Sequence, residues 1–580
     1  MLRVPVHAAR ARGAFGPRWC RFRPAGVATL ALLGTTPFVP GGLSAQQPES
    51  QPRTSLRPVV GGSRGMVTSN HPQASMAGIE IMMQGGNAFD AAVAVGAASG
   101  VVEPDVSGVG GIGWMILYRA DTKEIHVLNF GGRTPAALTA AHFKEAIANR
   151  GPLTALVPGS AAAWAALSER FGTMKPAELL APAIRLAENG YPLTATGARS
   201  HAGMRQAFLD WEGLGAAAWW SGTKEPPKQG DRVRNRRLAQ TYRTLAEKGF
   251  VAFYRGDIAR EIASTFQRFG GVLTEQDFAN YQVTWEQPLK ATYRGYEILT
   301  VAPNSSGGLA TLQVLNILEG DDLKALGLNS AEYIHLLAEA IKLAAEDRAR
   351  WVGDPELMKE PIPLDRLLSK EYATRLRAKI NPTRAALRPN TGVPQTGTTY
   401  YSVVDGQGNM VSVTTTMGSG FGSGLVGGMT GVVLNNGVSS WFELDPTSLA
   451  LVEGGKRPRA NMAPVMIARD GVPFMVLGTP GGTTIWQTQP QLITKLLDFG
   501  LDIQSAIESP RFSWQLGGTT IRIESRIPVH VLDKLRAMGH NVQPVAEWAV
   551  GAMNGIIIDR ETGLLRGGAD PRRDGYAIGY

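Results

Sequence analysis

Residues 397–416, "GTTYYSVVDGQGNMVSVTTT", decide how the rest of the chain is read. "TTYYSVVD" and "NMVSVTTT" are rich in β-branched and aromatic residues, and Gly406-Gln407-Gly408 separates them. That pattern predicts a β-hairpin. With the turn centred on Gln407, Thr398 lies opposite Thr416, within reach of a hydroxyl-to-hydroxyl bond. On geometry alone this is an ordinary hairpin closed by a Thr–Thr pair.

Just before it, residues 384–397, "RAALRPNTGVPQTG", form a Pro/Gly/Thr linker without apolar periodicity. The region from about 136 to 350 reads as mostly helical, with Asn329 and Glu332 capping a long helix that buries Tyr333, Leu336, Leu337, Ala340, Ile341 and Ala344. Upstream, Asn87 and Asp90 form a capping box before the alanine-rich "AFDAAVAVGAASGVV". A hairpin turning at Asp121-Thr122-Lys123 follows. Downstream, "PFMVLGTPGGTTIWQTQPQLITKLLDFG" reads as strand, glycine turn and helix, the last burying Leu492, Ile493, Leu496 and Leu497.

The 580 residues carry 44% hydrophobic and 18% charged side chains, a globular composition long enough for one large layered α/β domain or several ordinary ones. The net charge of +9 is misleading, because six arginines and no acid precede residue 46. Without those six, 52 basic residues face 49 acidic ones, which excludes a basic nucleic-acid footprint. The arginines lead into "AGVATLALLGTTPFVPGGLSA", the layout of a signal peptide (1–45) ending at Leu43-Ser44-Ala45. A membrane anchor is disfavoured by the short apolar stretch and by Pro37 and Pro40, so no stable membrane insertion is expected. The mature chain is expected to be secreted or periplasmic, after a disordered leader over 46–64. The single cysteine, Cys20, falls in the arginine-rich part of the signal peptide, leaving no disulfide, cysteine nucleophile or thiolate metal site in the mature chain.

Common catalytic systems are missing. There is no G-x-S-x-G elbow and no H-E-x-x-H, and the eight histidines are scattered, so no metal site is expected. Gly108, Gly110 and Gly113 spell G-x-G-x-x-G, but a strand rather than a helix follows, so no dinucleotide cofactor is expected. Thr398 remains. A threonine hydroxyl becomes a competent nucleophile when its own α-amine, freed by cutting the preceding peptide bond, serves as base. That amine has an ordinary pKa of about 7.7–8.0, suited to accepting a proton near neutrality. Thr416 can orient or polarise the hydroxyl. Gly481 and Gly482, ahead of a helix, offer backbone N–H groups for an oxyanion, or serve only as a tight strand-to-helix turn.

These segments, with "GGNAFDAAVAV", "VEPDVSGVGGIGW", "SSGG" at 305–308, "FGSGLVGGMTGVVLNN", "KRPRANMAP" and "GGADPRRDGYAIGY", resemble the γ-glutamyltransferase (glutathione hydrolase) family from Gly65 to the C-terminus. The resemblance implies an α/β four-layer αββα sandwich of the N-terminal-nucleophile hydrolase class, made as a proenzyme. It implies cleavage between Gly397 and Thr398 into a large subunit (65–397 after the leader) and a small one (398–580) that stay together as a heterodimer. Thr398 matches the nucleophile, Thr416 its partner, and Gly481 and Gly482 the oxyanion pair. No cofactor is implied, and the substrate would be a small-molecule amide.

The resemblance breaks where the family binds the γ-glutamyl head group. The arginine position falls on Gly131, with Arg133 two residues later. The positions that hold the α-amine fall on Gly418, Gly437 and Ser440, and the paired serines fall on Ala460 and Asn461. Losing one buried charged partner costs about 2–5 kcal/mol. The expectation is therefore an amidohydrolase or acyltransferase for non-γ-glutamyl amides, similar to the cephalosporin-acylase-like branch. The alternatives are a true γ-glutamyltransferase in which Arg133, Arg459 or Asn461 rebuilds the site, and a binding protein without turnover.

Overall fold

The structure, a computed structural model, describes residues 55–146, 150–389 and 397–580. The signal-peptide reading and residues 390–396 of the linker lie outside the described residues.

The hairpin forms as its composition predicts. Strand Thr398–Asp405 pairs antiparallel with Met410–Thr416, and Thr398 stands opposite Thr416. Asp405 closes the turn by accepting from the backbone N–H of Gln407 and Asn409. Its other oxygen accepts from Ala88 N, at the start of the helix Ala88–Val102, where a carboxylate favours the exposed helix N–H groups. That helix carries the expected Asn87–Asp90 capping box.

The hairpin is the middle of a seven-stranded sheet, flanked by Gly65–Ser69 on one side and Ile112–Arg119 on the other. A second seven-stranded sheet is centred on Val472–Gly478 and Val465–Arg469. Three buried clusters define the layers. Trp114, Val404, Met466 and Val476 belong to the core between the two sheets. Val403, Val413 and Leu117 pack outward against the helices Pro72–Met83 and Ala88–Val102. Ile467, Met475 and Leu477 pack outward against Ser306–Leu318, Ala331–Trp351 and Ile485–Leu497. The result is a four-layer αββα sandwich. Strand alternation explains it: successive residues such as Val403 and Val404 serve opposite faces, so both faces of each sheet must be covered.

Three expectations need correction. Order begins before residue 65: Val60–Gly62 is an edge strand of the second sheet, paired with Leu565–Ala569. The helical reading of 136–350 misses the strands Thr284–Glu286, Leu289–Tyr293 and Tyr296–Thr300, whose β-branched and aromatic residues complete both sheets. The long helix Ala331–Trp351 is capped by Ser330, whose hydroxyl accepts from Tyr333 N. Asn329 lies outside the helix, with φ 56°, and bonds to Ser509. Glu332 pairs with Lys534 rather than with the cap.

Both sheets draw strands from either side of Gly397. Neither side can complete a sheet alone, and an open edge in a buried sheet leaves unpaired N–H and C=O groups. After cleavage at Gly397–Thr398 the two chains are expected to co-elute in native size-exclusion chromatography and to separate only in denaturant. Separation at native conditions would contradict the interleaved sheets.

Candidate active site

The Thr–Thr pair is more than a cross-strand contact. The Thr398 hydroxyl donates to Thr416 Oγ1 at 3.3 Å, and Thr416 in turn donates to the Gly397 carbonyl at 2.9 Å. Gly418 N–H also donates to Thr416 Oγ1, at 2.9 Å, which fixes the direction of its single proton. Met417 N–H reaches the same Gly397 carbonyl at 3.2 Å. The carbonyl before Thr398 thus faces two donors, while the Thr398 hydroxyl faces an acceptor. All three threonine and glycine groups are buried. This is the geometry that polarises a carbonyl for attack. A Cβ on Gly397 would lie 2.6 Å from the Ser419 carbonyl carbon, at φ +111°, so only glycine fits there.

Gly481 (φ 130°) and Gly482 (φ 59°) open a 3₁₀ turn, Gly482–Thr484, that runs straight into the helix Ile485–Leu497. The N–H groups at such a start have no intrahelical acceptor. Arg573 donates to the Thr398 carbonyl at 2.8 Å and also lines a cleft that Gly481 borders. Its neighbour Arg572 is locked to Glu524 at 2.6 Å and to Asp570 at 3.1 Å, and Arg511 completes the buried network with Asp570 at 2.6 Å.

The head-group positions are closed. A Cβ on Gly131 would fall 2.5 Å from the indole of Trp114. On Gly418, which has φ +91°, it would fall 2.2 Å from Asn436 Oδ1, and on Gly437, 2.4 Å from Leu156. Ser440 Oγ points at Asn436 Oδ1, 3.3 Å away. Arg133 and Arg459, expected to be available to a substrate carboxylate, are both engaged. Arg133 pairs with Glu356 at 2.6 Å and bonds to the Gly455 carbonyl. Arg459 pairs with Glu443 at 2.7 Å and bonds to the Ala349 carbonyl. Asn461 Oδ1 accepts from Arg348, whose Nε donates to Ser306 Oγ at 2.7 Å. The backbone of Ala460 bridges to Ser305.

Sequence reasoning missed Glu103, Arg348, Met417 and Arg573. Glu103 and Arg573 sit in quoted motifs, but nothing in the spacing announces that they converge on the hairpin. It also missed that folding gathers His335, Glu339 and His540, whose ligand atoms lie within 4.8 Å of one another. Their surroundings argue against a cation. His335 and His540 share a hydrogen bond at 2.8 Å, and the Lys342 ammonium sits 2.6 Å from Glu339.

The family description Gamma-glutamyltranspeptidase matches residues 74–580. The chain belongs to this family. It is 34% identical over 586 residues to the glutathione hydrolase proenzyme of Bacillus subtilis (strain 168), covering 95% of this chain and 97% of that protein. It is 35% identical over 533 residues to the acylase ACY 1 proenzyme of Pseudomonas sp. (strain V22), covering 89% of this chain and 94% of that protein. Among solved structures, the cephalosporin acylase from Bacillus halodurans superposes with a TM-score of 0.84 at 34% identity, covering 92% of this chain and 99% of that one. The γ-glutamyltranspeptidase-family membership and the proenzyme relatives identify the chain as an N-terminal-nucleophile hydrolase, an enzyme that processes itself.

Two predictions follow from the hairpin. Thr416→Ala removes both the acceptor for the Thr398 hydroxyl and a donor to the Gly397 carbonyl. Self-cleavage should slow, and kcat of whatever matures should fall about 10²–10³-fold, the scale for one such donor. Time courses on denaturing gels and steady-state rates check this. Wild-type behaviour would show that the pair does no chemistry.

Glu103 lies beside the hairpin, accepting from Thr399 Oγ1 at 3.3 Å. Burial pushes its carboxyl up to about 8, against the pull of Arg573. The folded protein therefore keeps a proton that the unfolded chain releases above its ordinary value of 4.5. The cost is absent below that value, grows with rising pH, and levels off above about 8. Glu103→Gln should therefore gain Tm relative to wild type as pH rises from about 5 to about 8. A pH-independent gap would contradict an uncharged Glu103.

Proposed function

We propose that this γ-glutamyltranspeptidase-family chain cuts itself between Gly397 and Thr398 and then hydrolyses amides whose acyl part lacks an α-amino-acid head group. Supporting the first step, Thr398 Oγ1 adjoins both an acceptor and the polarised Gly397 carbonyl. Attack by Oγ1 on that carbonyl carbon breaks the peptide bond, leaving Gly397 as an ester and Thr398 with a free amine. Water then hydrolyses the ester, giving a Gly397 carboxylate and restoring the Thr398 hydroxyl.

In the mature enzyme the Thr398 amine takes the hydroxyl proton as Oγ1 attacks the substrate carbonyl. The oxyanion is held by the N–H groups of Gly481 and Gly482. The amine half of the substrate leaves with the proton from the Thr398 ammonium, and water releases the acyl group by the reverse sequence.

The substrate reading rests on one observation: the head-group positions are filled by the protein itself. Trp114, Asn436 and Leu156 occupy the space that side chains at Gly131, Gly418 and Gly437 would need. An incoming ammonium would meet no carboxylate at those positions, and burying it unpaired is costly. The acylase and cephalosporin acylase relatives agree with this reading. The arginine-rich start and the apolar run of residues 1–45 support an exported precursor. Among the described residues no helix is long and apolar enough to cross a membrane.

A glutaryl amide differs from a γ-glutamyl amide only by the missing α-amine, so the pair isolates the ammonium. On the processed enzyme, kcat/KM for glutaryl-p-nitroanilide should exceed that for γ-glutamyl-p-nitroanilide by at least about tenfold, a threshold set below the roughly thirtyfold that the lower end of the cost of an unpaired buried charge gives. A preference for γ-glutamyl would mean that other residues rebuild the glutamyl site.

A further inference from the structure

A cavity of about 260 Å³ lies against Gly397. Asn70, His71, Glu103, Gly397, Arg573 and Asp574 border it. The hairpin register decides which atoms face it. Met417 N–H bonds to the Gly397 carbonyl and Asp405 N–H to the Asn409 carbonyl, so the odd-numbered residues of the first strand bond across the hairpin. The even-numbered ones, Thr398 included, turn N–H and C=O the other way, toward Gly65–Ser69. That strand ends at Ser69 and its pairing stops at Ser402, short of Thr398. The Thr398 carbonyl meets Arg573 there instead, at 2.8 Å. The Thr398 nitrogen points the same way, toward the space that Asn70, Arg573 and Gly397 border.

This nitrogen is the leaving group when Thr398 Oγ1 attacks the Gly397 carbonyl, and an amide nitrogen leaves readily only with a proton. Glu103 is placed to give one. It caps the end of the helix Ala88–Val102 and accepts from Thr399 Oγ1 at 3.3 Å, while Asn70 donates to the same hydroxyl at 3.0 Å. The charged and titratable groups facing Glu103 are Arg573 and Asp574 near the C-terminus, Asp105 just past the helix, and Tyr191 on the strand Tyr191–Pro192. Burial keeps the carboxyl uncharged up to about 8, against the pull of Arg573. His71 has no acidic proton to offer near neutrality. Burial pushes its ring down to about 4, and Nδ1 accepts from Gln73 N–H, which leaves the single hydrogen on Nε2. Asp105 is engaged by the Ser200 hydroxyl at 2.7 Å. His71 Nε2 is buried with no partner among the described residues. With Glu103 opposite, a polar cavity of this size has room and partners for several waters.

We propose that Glu103 is the proton donor of self-cleavage, serving the Thr398 nitrogen through water held in this cavity. Oγ1 bonds to the Gly397 carbon, its proton passing through Thr416 to the carbonyl oxygen. The C–N bond then breaks, its electron pair goes to nitrogen, and nitrogen takes the Glu103 proton. As the carbonyl re-forms, the proton on its oxygen returns by water to Glu103, so the net transfer is one proton from the Thr398 hydroxyl to its own amine. The inference rests on the self-cleavage reading of Gly397–Thr398 and is independent of the acyl preference.

The test follows cleavage of full-length chain made in a short cell-free pulse and then moved to buffers from about pH 6 to about pH 10, read as loss of the uncut band on denaturing gels. The wild-type rate should hold up to about 8 and fall about tenfold per pH unit above it, as Glu103 loses its proton. Glu103→Gln should cleave about 10²-fold more slowly near neutrality, the lower end for a general acid, and lose that fall. Glu103→Asp keeps a carboxyl and should recover part of the rate together with the fall. Asp105→Asn should retain the fall. Melting of each variant on the uncut Thr398→Ala background separates slow cutting from failed folding. The wild-type profile needs no variant: a rate that goes on rising above about 8 overturns the proposal. So does a wild-type rate in Glu103→Gln, or a fall that disappears with Asp105 instead, and in all three cases self-cleavage itself stands. A wild-type chain that never cleaves overturns both readings.

Discussion

The register of one hairpin governs the rest of the molecule. Thr398 opposes Thr416, and because strand side chains alternate, a slip of one residue would send the two hydroxyls to opposite faces of the sheet. Three devices hold that register. Asp405 fixes the turn and the neighbouring helix start. Gly65–Ser69 and Ile112–Arg119 pair along both outer edges. Arg573 grips the Thr398 carbonyl from the far end of the chain. The proton on Thr416 then has one direction to point, toward the Gly397 carbonyl. A single hydroxyl accepts from Thr398 Oγ1 and donates to the Gly397 carbonyl.

In the proposed mechanism, cutting the chain creates the base at Thr398 itself, and the sheet that aligned the uncut bond remains in place afterwards. Beside it, Trp114 and Leu156 press on Gly131 and Gly437, and Arg133 and Arg459 hold internal partners. Reaction centre and specificity walls lie on different elements, so one can change while the other is kept.

The hairpin, its register and the Asn87–Asp90 capping box were legible in the sequence because each is specified by residues close together in the chain. The strand–turn–helix at 472–497 was legible for the same reason. The start of the long helix was misplaced by one residue, since Asn329 and Ser330 are both good caps and only the positive φ of Asn329 separates them. Site features made by distant residues were not legible. Counting along motifs locates Gly131 but cannot show that Trp114 covers it, and Arg133 gives no sign that Glu356 will neutralise it. Glu103 and Arg573 lie in recognisable motifs, yet their convergence on the hairpin depends on how both ends of the chain join one sheet. The scattered His335 and His540 are likewise brought together only by packing.

The central claim is that Thr398 becomes a chain terminus and thereby a nucleophile. N-terminal sequencing of the smaller chain in the purified, active protein tests it most directly. The account predicts a single sequence beginning Thr-Thr-Tyr-Tyr-Ser. A start at any other residue, or full amidase activity in a chain that remains uncut, would contradict it.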